Sequence, residues 1–97
     1  MNANEYINGM ADLIRTTGAD VRIEDIDGRK RIAAKFHGVS EMNAEMKKAF
    51  IANAETLKAL NAGLKALRAS GEIKSATNCW APTLLEGGIE LRMDFGF

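Results

Sequence analysis

An Asp-Gly pair flanked by alternating side chains limits this fold more than any other feature of the chain. Asp27-Gly28 suits a two-residue type I′ turn, which requires positive φ at both central positions. The turn sets one register for residues 21–36, with apolar pairs on one face and an opposite-charge pair on the other. The predicted pairs are Val21 with Ala34, Ile23 with Ile32, and Glu24 with Arg31. Because one register satisfies both faces, the sequence predicts a β-hairpin.

A helix is predicted before the hairpin, over residues 3–17. Its apolar residues fall on one face at helical spacing, and Asn2 and Glu5 stand three positions apart, as a capping box requires. Gly18 suits the left-handed conformation that commonly ends a helix. These signals indicate an amphipathic helix at the start of the chain.

The last part of the chain has strand character. Residues 89–97 alternate between apolar and mainly charged side chains, which is typical of a half-buried strand. Pro82 cannot donate to a sheet ladder, so we expect residues 78–88 to form a loop or a kinked edge strand, and whether residues 75–85 form a strand stays open. The order α-β-β-α-(β)-β predicts a single α+β domain over residues 1–97. Its antiparallel sheet has three to four strands with two helices on one face, the second long and amphipathic.

A heptad spacing organises the second helix, predicted over residues 41–69. Its a/d seam consists of Met46, Phe50, Asn53, Leu57, Leu60, Leu64 and Leu67. A straight helix of about 29 residues is roughly 43 Å long, whereas a domain of this size has a radius of gyration near 13 Å, on the order of a third of that length. We therefore expect the helix to break at Asn53 or Gly63, or to pack its free end on another chain.

A row of small residues lies beside this seam and is the predicted self-association surface. Its members are Ala52, Thr56, Ala59, Gly63 and Ala66. In one interpretation the helix lies on its own sheet, and the first helix fills the small row. In the other, small side chains let a second copy approach closely, which gives a homodimer. Both interpretations stay open at this stage.

Composition and charge narrow the class of protein. The 13 Lys and Arg residues balance the 13 Asp and Glu residues, so no overall field attracts DNA or an anionic membrane. The chain lacks an apolar run of about 20 residues, the length that spans a bilayer, and its first residues do not resemble a signal peptide. The single Cys79 excludes an intrachain disulfide and fits a reducing compartment. We expect a cytoplasmic protein without membrane contact.

The chain offers few groups for catalysis or metal binding. His37 and Cys79 are its only imidazole and thiol, and no glycine-rich elbow or orienting group accompanies them. A structural zinc site needs more ligands than these two. The sequence around Asp25 and Asp27 lacks the first and last carboxylates of a calcium loop. We therefore predict no catalytic residue, no metal and no cofactor, and we expect the protein not to be an enzyme.

Arg29, Lys30 and Arg31 form the best candidate for contact with nucleic-acid phosphates. Acidic residues on the facing strand cancel much of their field, and no aromatic residue is interleaved to stack on bases. A nucleic-acid-binding protein that uses this basic hairpin is therefore the alternative hypothesis.

Trp80, Leu84 and Leu85 form an apolar segment that is hard to bury in so small a domain. The segment either folds over the open end of the sheet or forms a partner-binding site, since clustered Trp and aliphatic side chains resemble the centre of an interface. The leading hypothesis is a non-enzymatic protein-interaction module that binds another protein or a nucleoprotein complex. It would act as a small inhibitor or regulator, such as a phage-encoded inhibitor of host machinery.

Overall fold

A computed structural model describes residues 1–37, 39–83 and 88–97, with the side chains of all of these except 39–43, 45 and 80–83. Three helices and a four-stranded antiparallel sheet form a mixed α+β fold, which confirms the predicted class and order. The elements are α1 (Ala3–Arg15), β1 (Asp20–Ile26), β2 (Arg29–Phe36), α2 (Val39–Ala52), α3 (Ala54–Ser70), β3 (Ser75–Thr83) and β4 (Gly88–Gly96). Two helices were expected, and the third arises because the long one is interrupted.

The hairpin has the predicted geometry. Asp27 and Gly28 both have positive φ, 48° and 77°, as a type I′ turn requires. All the predicted pairs are present in the β1–β2 ladder. The strand order is β1-β2-β4-β3, so β4 pairs with β2 of the hairpin, and β1 and β3 are the two edge strands. Pro82 lies in β3, and an edge strand is where a residue without an N–H is tolerated.

Helix α1 begins at the predicted capping box. The Glu5 N–H donates to Asn2 Oδ1 at 2.8 Å, and the Asn2 N–H donates to Glu5 Oε1 at 3.0 Å. The helix ends at Arg15, two residues earlier than expected, and Gly18 follows with a φ of 84°. These local contacts fix where α1 starts and how the chain turns into β1.

The long helix breaks at Asn53, one of the two positions that the sequence indicated. Asn53 has φ −119° and ψ 35°, and its side-chain Nδ2 donates to the Ala49 carbonyl at 2.8 Å. α2 begins at Val39, two residues before the predicted start. The break lets both halves of the seam follow the protein's own core instead of overhanging it. In the part of the chain that is described, no helix is long and apolar enough to cross a membrane.

The core lies between the helices and one face of the sheet. Ile32 and Ala34 of β2 and Phe95 of β4 are fully buried there, and Phe95 meets Tyr6 of α1 edge to face at 5.6 Å between ring centroids. The Cα atoms extend 39 × 32 × 15 Å, which are the dimensions of two thin layers. α1 packs against β1, β2 and both other helices, so it is the central element of the helical layer.

Candidate functional site

An apolar groove opens between the α2–α3 pair and the β3–β4 side of the sheet. Its volume is about 490 Å³. The helices contribute half-buried apolar side chains to it, and the strands contribute Ala76, Met93 and the core residue Leu91. The half-buried helical contributors are Met46, Phe50, Leu57 and Leu64. Three buried residues of α1 also line the groove, Tyr6, Met10 and Ile14. The groove therefore includes four of the seven residues of the heptad seam, and these four are only partly covered.

The groove exists because α3 packs mainly on α1, and only one edge of α3 lies over the sheet. Leu60 and Leu67 face α1 and are buried, at 3% and 4% exposure. Leu57 and Leu64 project from a neighbouring direction on α3 and are only partly buried. A Cβ on Gly9 would lie 2.9 Å from Leu60 Cδ2, so α1 and α3 are in close contact on the side of α3 that carries Leu60. Within α3 the seam therefore has a buried part, Leu60 and Leu67, which packs on α1, and a partly exposed part, Leu57 and Leu64, which lines the groove.

A basic edge of α3 borders the groove. Arg68 and Asn61 line it, and Lys58 and Lys65 are exposed on the same side of the helix. None of the ion pairs between described side chains involves Lys58, Lys65 or Arg68. Asn78 stands on the strand side. The groove is thus apolar inside and cationic along one border.

The small row of the second helix is divided by the structure. Gly63 is half-buried, and a Cβ there would collide with the Met1 sulfur, so the start of the chain fills that part of the row. The other members are exposed: Ala52, Thr56, Ala59 and Ala66. The N-terminal segment therefore accounts for one position, and self-association through the remaining four stays a prediction.

The predicted partner site around Trp80 falls mostly outside the described residues. Trp80 lies in β3 and pairs with Leu91 of β4, but its side chain is not among those described. Leu84 and Leu85 lie outside the described residues altogether. The apolar groove was not predicted as a site, although four of its residues had been placed in the seam.

The basic triad of the hairpin is largely engaged within the protein. Arg31 donates to Asp94 through two nitrogens, with Nε–Oδ1 at 2.7 Å and Nη2–Oδ2 at 3.2 Å. This hydrogen-bonded pair lowers the pKa of Asp94 and raises that of Arg31. Lys30 Nζ donates to Asn4 Oδ1 at 3.0 Å, and Arg29 is exposed at the end of the sheet. Glu24 lies opposite Arg31 in the ladder, as predicted, but the hydrogen bonds of Arg31 go to Asp94, which the sequence did not indicate because β4 is distant along the chain.

The sheet face opposite the helices is charged but internally compensated. Arg22 donates to Glu24 at 3.0 Å and Arg92 donates to Glu90 at 3.1 Å, beside the Arg31–Asp94 pair. The ladder places Ala33 between two of these arginines, and Ala33 is 1% exposed although no helix covers it. Long arginine side chains shield it. A face of alternating, mutually paired charges offers little net attraction for phosphates.

The chain's imidazole and thiol lie apart. Cys79 shares a row of the sheet with Ala33 through Arg92, two strands away. His37 follows the end of β2, four residues beyond Ala33, which is roughly 13 Å from that row at about 3.3 Å per residue. His37 Nε2 lies instead 2.9 Å from Asp20 Oδ2 at an exposed position. Among the described residues, no three His, Cys, Asp or Glu side chains cluster as a metal site would require.

Two further concavities in the described part of the chain are lined mostly by charged and amide residues, one at the hairpin end and one at the start of α1. The groove differs from both in its apolar lining. The chain matches no family model, and no curated protein or solved structure matches it. The geometry of the groove is therefore the basis for inferring function.

Proposed function

We propose that the chain is a non-enzymatic protein-interaction module that binds its partner in the apolar groove. The observation that carries this proposal is the half-buried state of the helical lining, with Phe50 and Leu64 facing a cleft instead of closing on the sheet. Covering such surface releases roughly 25 cal/mol per Å² of apolar area. Aromatic and methionine side chains are enriched at protein interfaces, and the groove has Phe50, Met46 and Met93.

The chemistry of the lining supports binding over catalysis. General acid–base catalysis needs a group that gains and loses a proton near neutral pH. The polar residues that line the groove are two amides, one arginine and Tyr6, whose burial raises its pKa further above 10.0. An amide or a guanidinium orients a partner by hydrogen bonding but does not exchange protons at pH 7.

A module of this size would act by covering part of another macromolecule, as a small inhibitor or regulator in a reducing compartment such as the cytoplasm. Dimerisation is compatible with this role. Ala59 and Ala66 each follow a groove leucine by two positions, which is about 200° around the helix. The small row and the groove therefore lie on different sides of α3, and a homodimer through the row leaves the groove open.

Nucleic-acid binding has weaker support. Two of the three basic hairpin residues donate hydrogen bonds within the protein, and the surrounding face pairs its own charges. Among the described residues, Lys58, Lys65 and Arg68 of α3 have no ion pair and lie beside an apolar groove. That combination favours a partner with apolar side chains.

Selection from a displayed library of short random peptides tests the groove as a binding site. We expect binders to wild-type protein whose affinity falls about tenfold or more for Leu64→Glu, since the change places a charge in the groove. Ile51→Glu is the matched control, because Ile51 is 70% exposed on α2 and does not line the groove. Binders that distinguish neither variant from wild type, or a failure to select any binder, would contradict the proposal.

A further inference from the structure

We infer that the groove's partner is an extended, acidic and apolar segment that adds as a strand to the β3 edge of the sheet. The inference rests on the proposed function and names the chemistry of the partner. Three observations support it: the uncharged sequence of β3, the position of the groove beside β3, and the cations on α3 that have no acidic partner among the described residues.

The two edges of the sheet differ in charge. Edge strand β1 carries four charged residues, Asp20, Arg22, Glu24 and Asp25, whereas edge strand β3 carries none over its nine residues, Ser75–Thr83. Charged side chains on an edge strand oppose pairing with another chain, and their absence permits it. By charge, β1 is protected against strand addition and β3 is not. Pro82 opposes pairing near the end of β3, so the open part of this edge is residues 75–81.

The groove lies beside the uncharged edge. Ala76 and Asn78 belong to β3 and line the groove, so a strand added next to β3 would run along the groove's border. Neighbouring strands lie about 4.8 Å apart, and alternate side chains of an added strand point to the helix-bearing face. Those side chains would meet Phe50 and Leu64 in the groove. Main-chain hydrogen bonds would give affinity, and alternate side chains would give specificity.

Charge selects the remaining side chains of the partner. Lys58, Lys65 and Arg68 border the groove without an acidic partner among the described residues. Acidic residues in an incoming segment would compensate these cations, and basic residues would be repelled. A second copy paired through β3 would place two such basic edges on the same side of a joined sheet. The cations therefore favour an acidic segment over self-pairing.

The experiment uses the peptides selected on wild-type protein. We expect alternating apolar and acidic residues in them, with binding about threefold to tenfold weaker to Arg68→Glu and likewise to Lys65→Glu. Lys48→Glu is the matched control, since Lys48 is exposed on α2 and does not line the groove, and it should change affinity less than about twofold. Urea unfolding first checks that Arg68→Glu, Lys65→Glu and Lys48→Glu are each as stable as the wild-type protein.

Backbone N-methylation tests strand addition itself. One alternate set of peptide amides faces β3 and the other faces away, because hydrogen bonds of a strand alternate between its two edges. Methylating the set that faces β3 should weaken binding about tenfold or more, and methylating the other set should have little effect.

Each outcome separates the two proposals. Selected peptides that lose affinity for Leu64→Glu but are basic, or that tolerate both N-methylated sets, would overturn the strand-addition inference and leave the groove as the binding site. Failure to select any groove binder would overturn both. A wild-type dimer that Asn78→Lys converts to a monomer would show that a second copy occupies the edge, and would also overturn the inference.

Discussion

Helices α1 and α3 lie in the same layer, yet they contribute to it differently. α1 buries six of its 13 residues, and α3 buries two of its 17. The large apolar residues of α1 are buried even where they line the groove, while half of the leucines of α3 are only partly buried there. The difference indicates that α1 holds the fold together and that much of the apolar surface of α3 is available to a partner.

Amino-acid choice explains why the two helices differ. On α1, bulky side chains such as Tyr6, Ile7 and Ile14 occupy one face and are each 1% exposed. On α3, leucines alternate with alanine and glycine, so a narrow apolar seam is flanked by small side chains and lysines. A narrow seam supports one contact well, and that contact is with α1. The rest of the seam faces the groove.

The largest expected effect is on stability when a buried residue of α1 is truncated. Ile7→Ala should lower the free energy of unfolding by about 2–5 kcal/mol, because Ile7 is fully enclosed and its removal leaves a cavity. Urea unfolding measures the change. Leu60→Ala, at a buried position of α3, should cost a comparable amount, which would show that burial and not the helix determines the loss. A loss below about 1 kcal/mol for Ile7→Ala would contradict its assignment to the core.

Truncating a groove residue should affect peptide binding more than stability. Leu64→Ala should lower the free energy of unfolding by about 1 kcal/mol, since Leu64 is only half-buried. The same change should weaken the selected peptides about fivefold or more, the loss typical of a residue that contributes substantially to an interface. Unfolding and peptide titration on one preparation compare the two effects. A stability loss as large as that of Ile7→Ala would mean that the groove is closed in solution.

A smaller difference is expected at two glycines in tight contacts, Gly9 of α1 against Leu60 and Gly63 of α3 against Met1. Gly63→Ala should stabilise the protein by about 0.5–1 kcal/mol, because alanine is the better helix former and the Met1 side chain can move aside. Gly9→Ala should gain less, since its Cβ would press on Leu60, which is confined in the core. Thermal unfolding of the two variants measures the order. Equal gains would contradict the tight packing at Gly9.

Features of the fold that depend on residues close together in the sequence were predicted better than features that depend on distant residues. The register around Asp27-Gly28 and the Asn2–Glu5 capping box were predicted correctly because their partners are a few residues apart. Its length led us to expect that the long helix breaks, at Asn53 or Gly63, or packs its free end on another chain, and it breaks at Asn53. Gly63 lies within α3, where it receives the Met1 side chain, so its small size serves packing instead of bending.

The candidate site was harder to predict because it depends on tertiary placement. The seam residues were identified, but whether Leu64 closes on the sheet or faces a groove depends on how closely α1 and α3 pack. The Arg31–Asp94 pair likewise depends on β4 lying beside β2, a pairing between segments about 60 residues apart that no local pattern specifies. Asp94 could have been suggested only by its alternating position in the last strand.

The smallest expected effect concerns ionisation and applies to α1 alone. Burial raises the pKa of Tyr6, so above about pH 10 the unfolded chain releases a phenolic proton that the folded protein retains. Stability should therefore fall as pH rises through this range, and less so in Tyr6→Phe. Tyr6 is the chain's single tyrosine, so phenolate absorbance reports it directly. The folded protein should titrate at higher pH than the urea-unfolded chain. Coincident titrations would mean that α1 leaves Tyr6 open to solvent, and the contrast between the two helices would lose its strongest example.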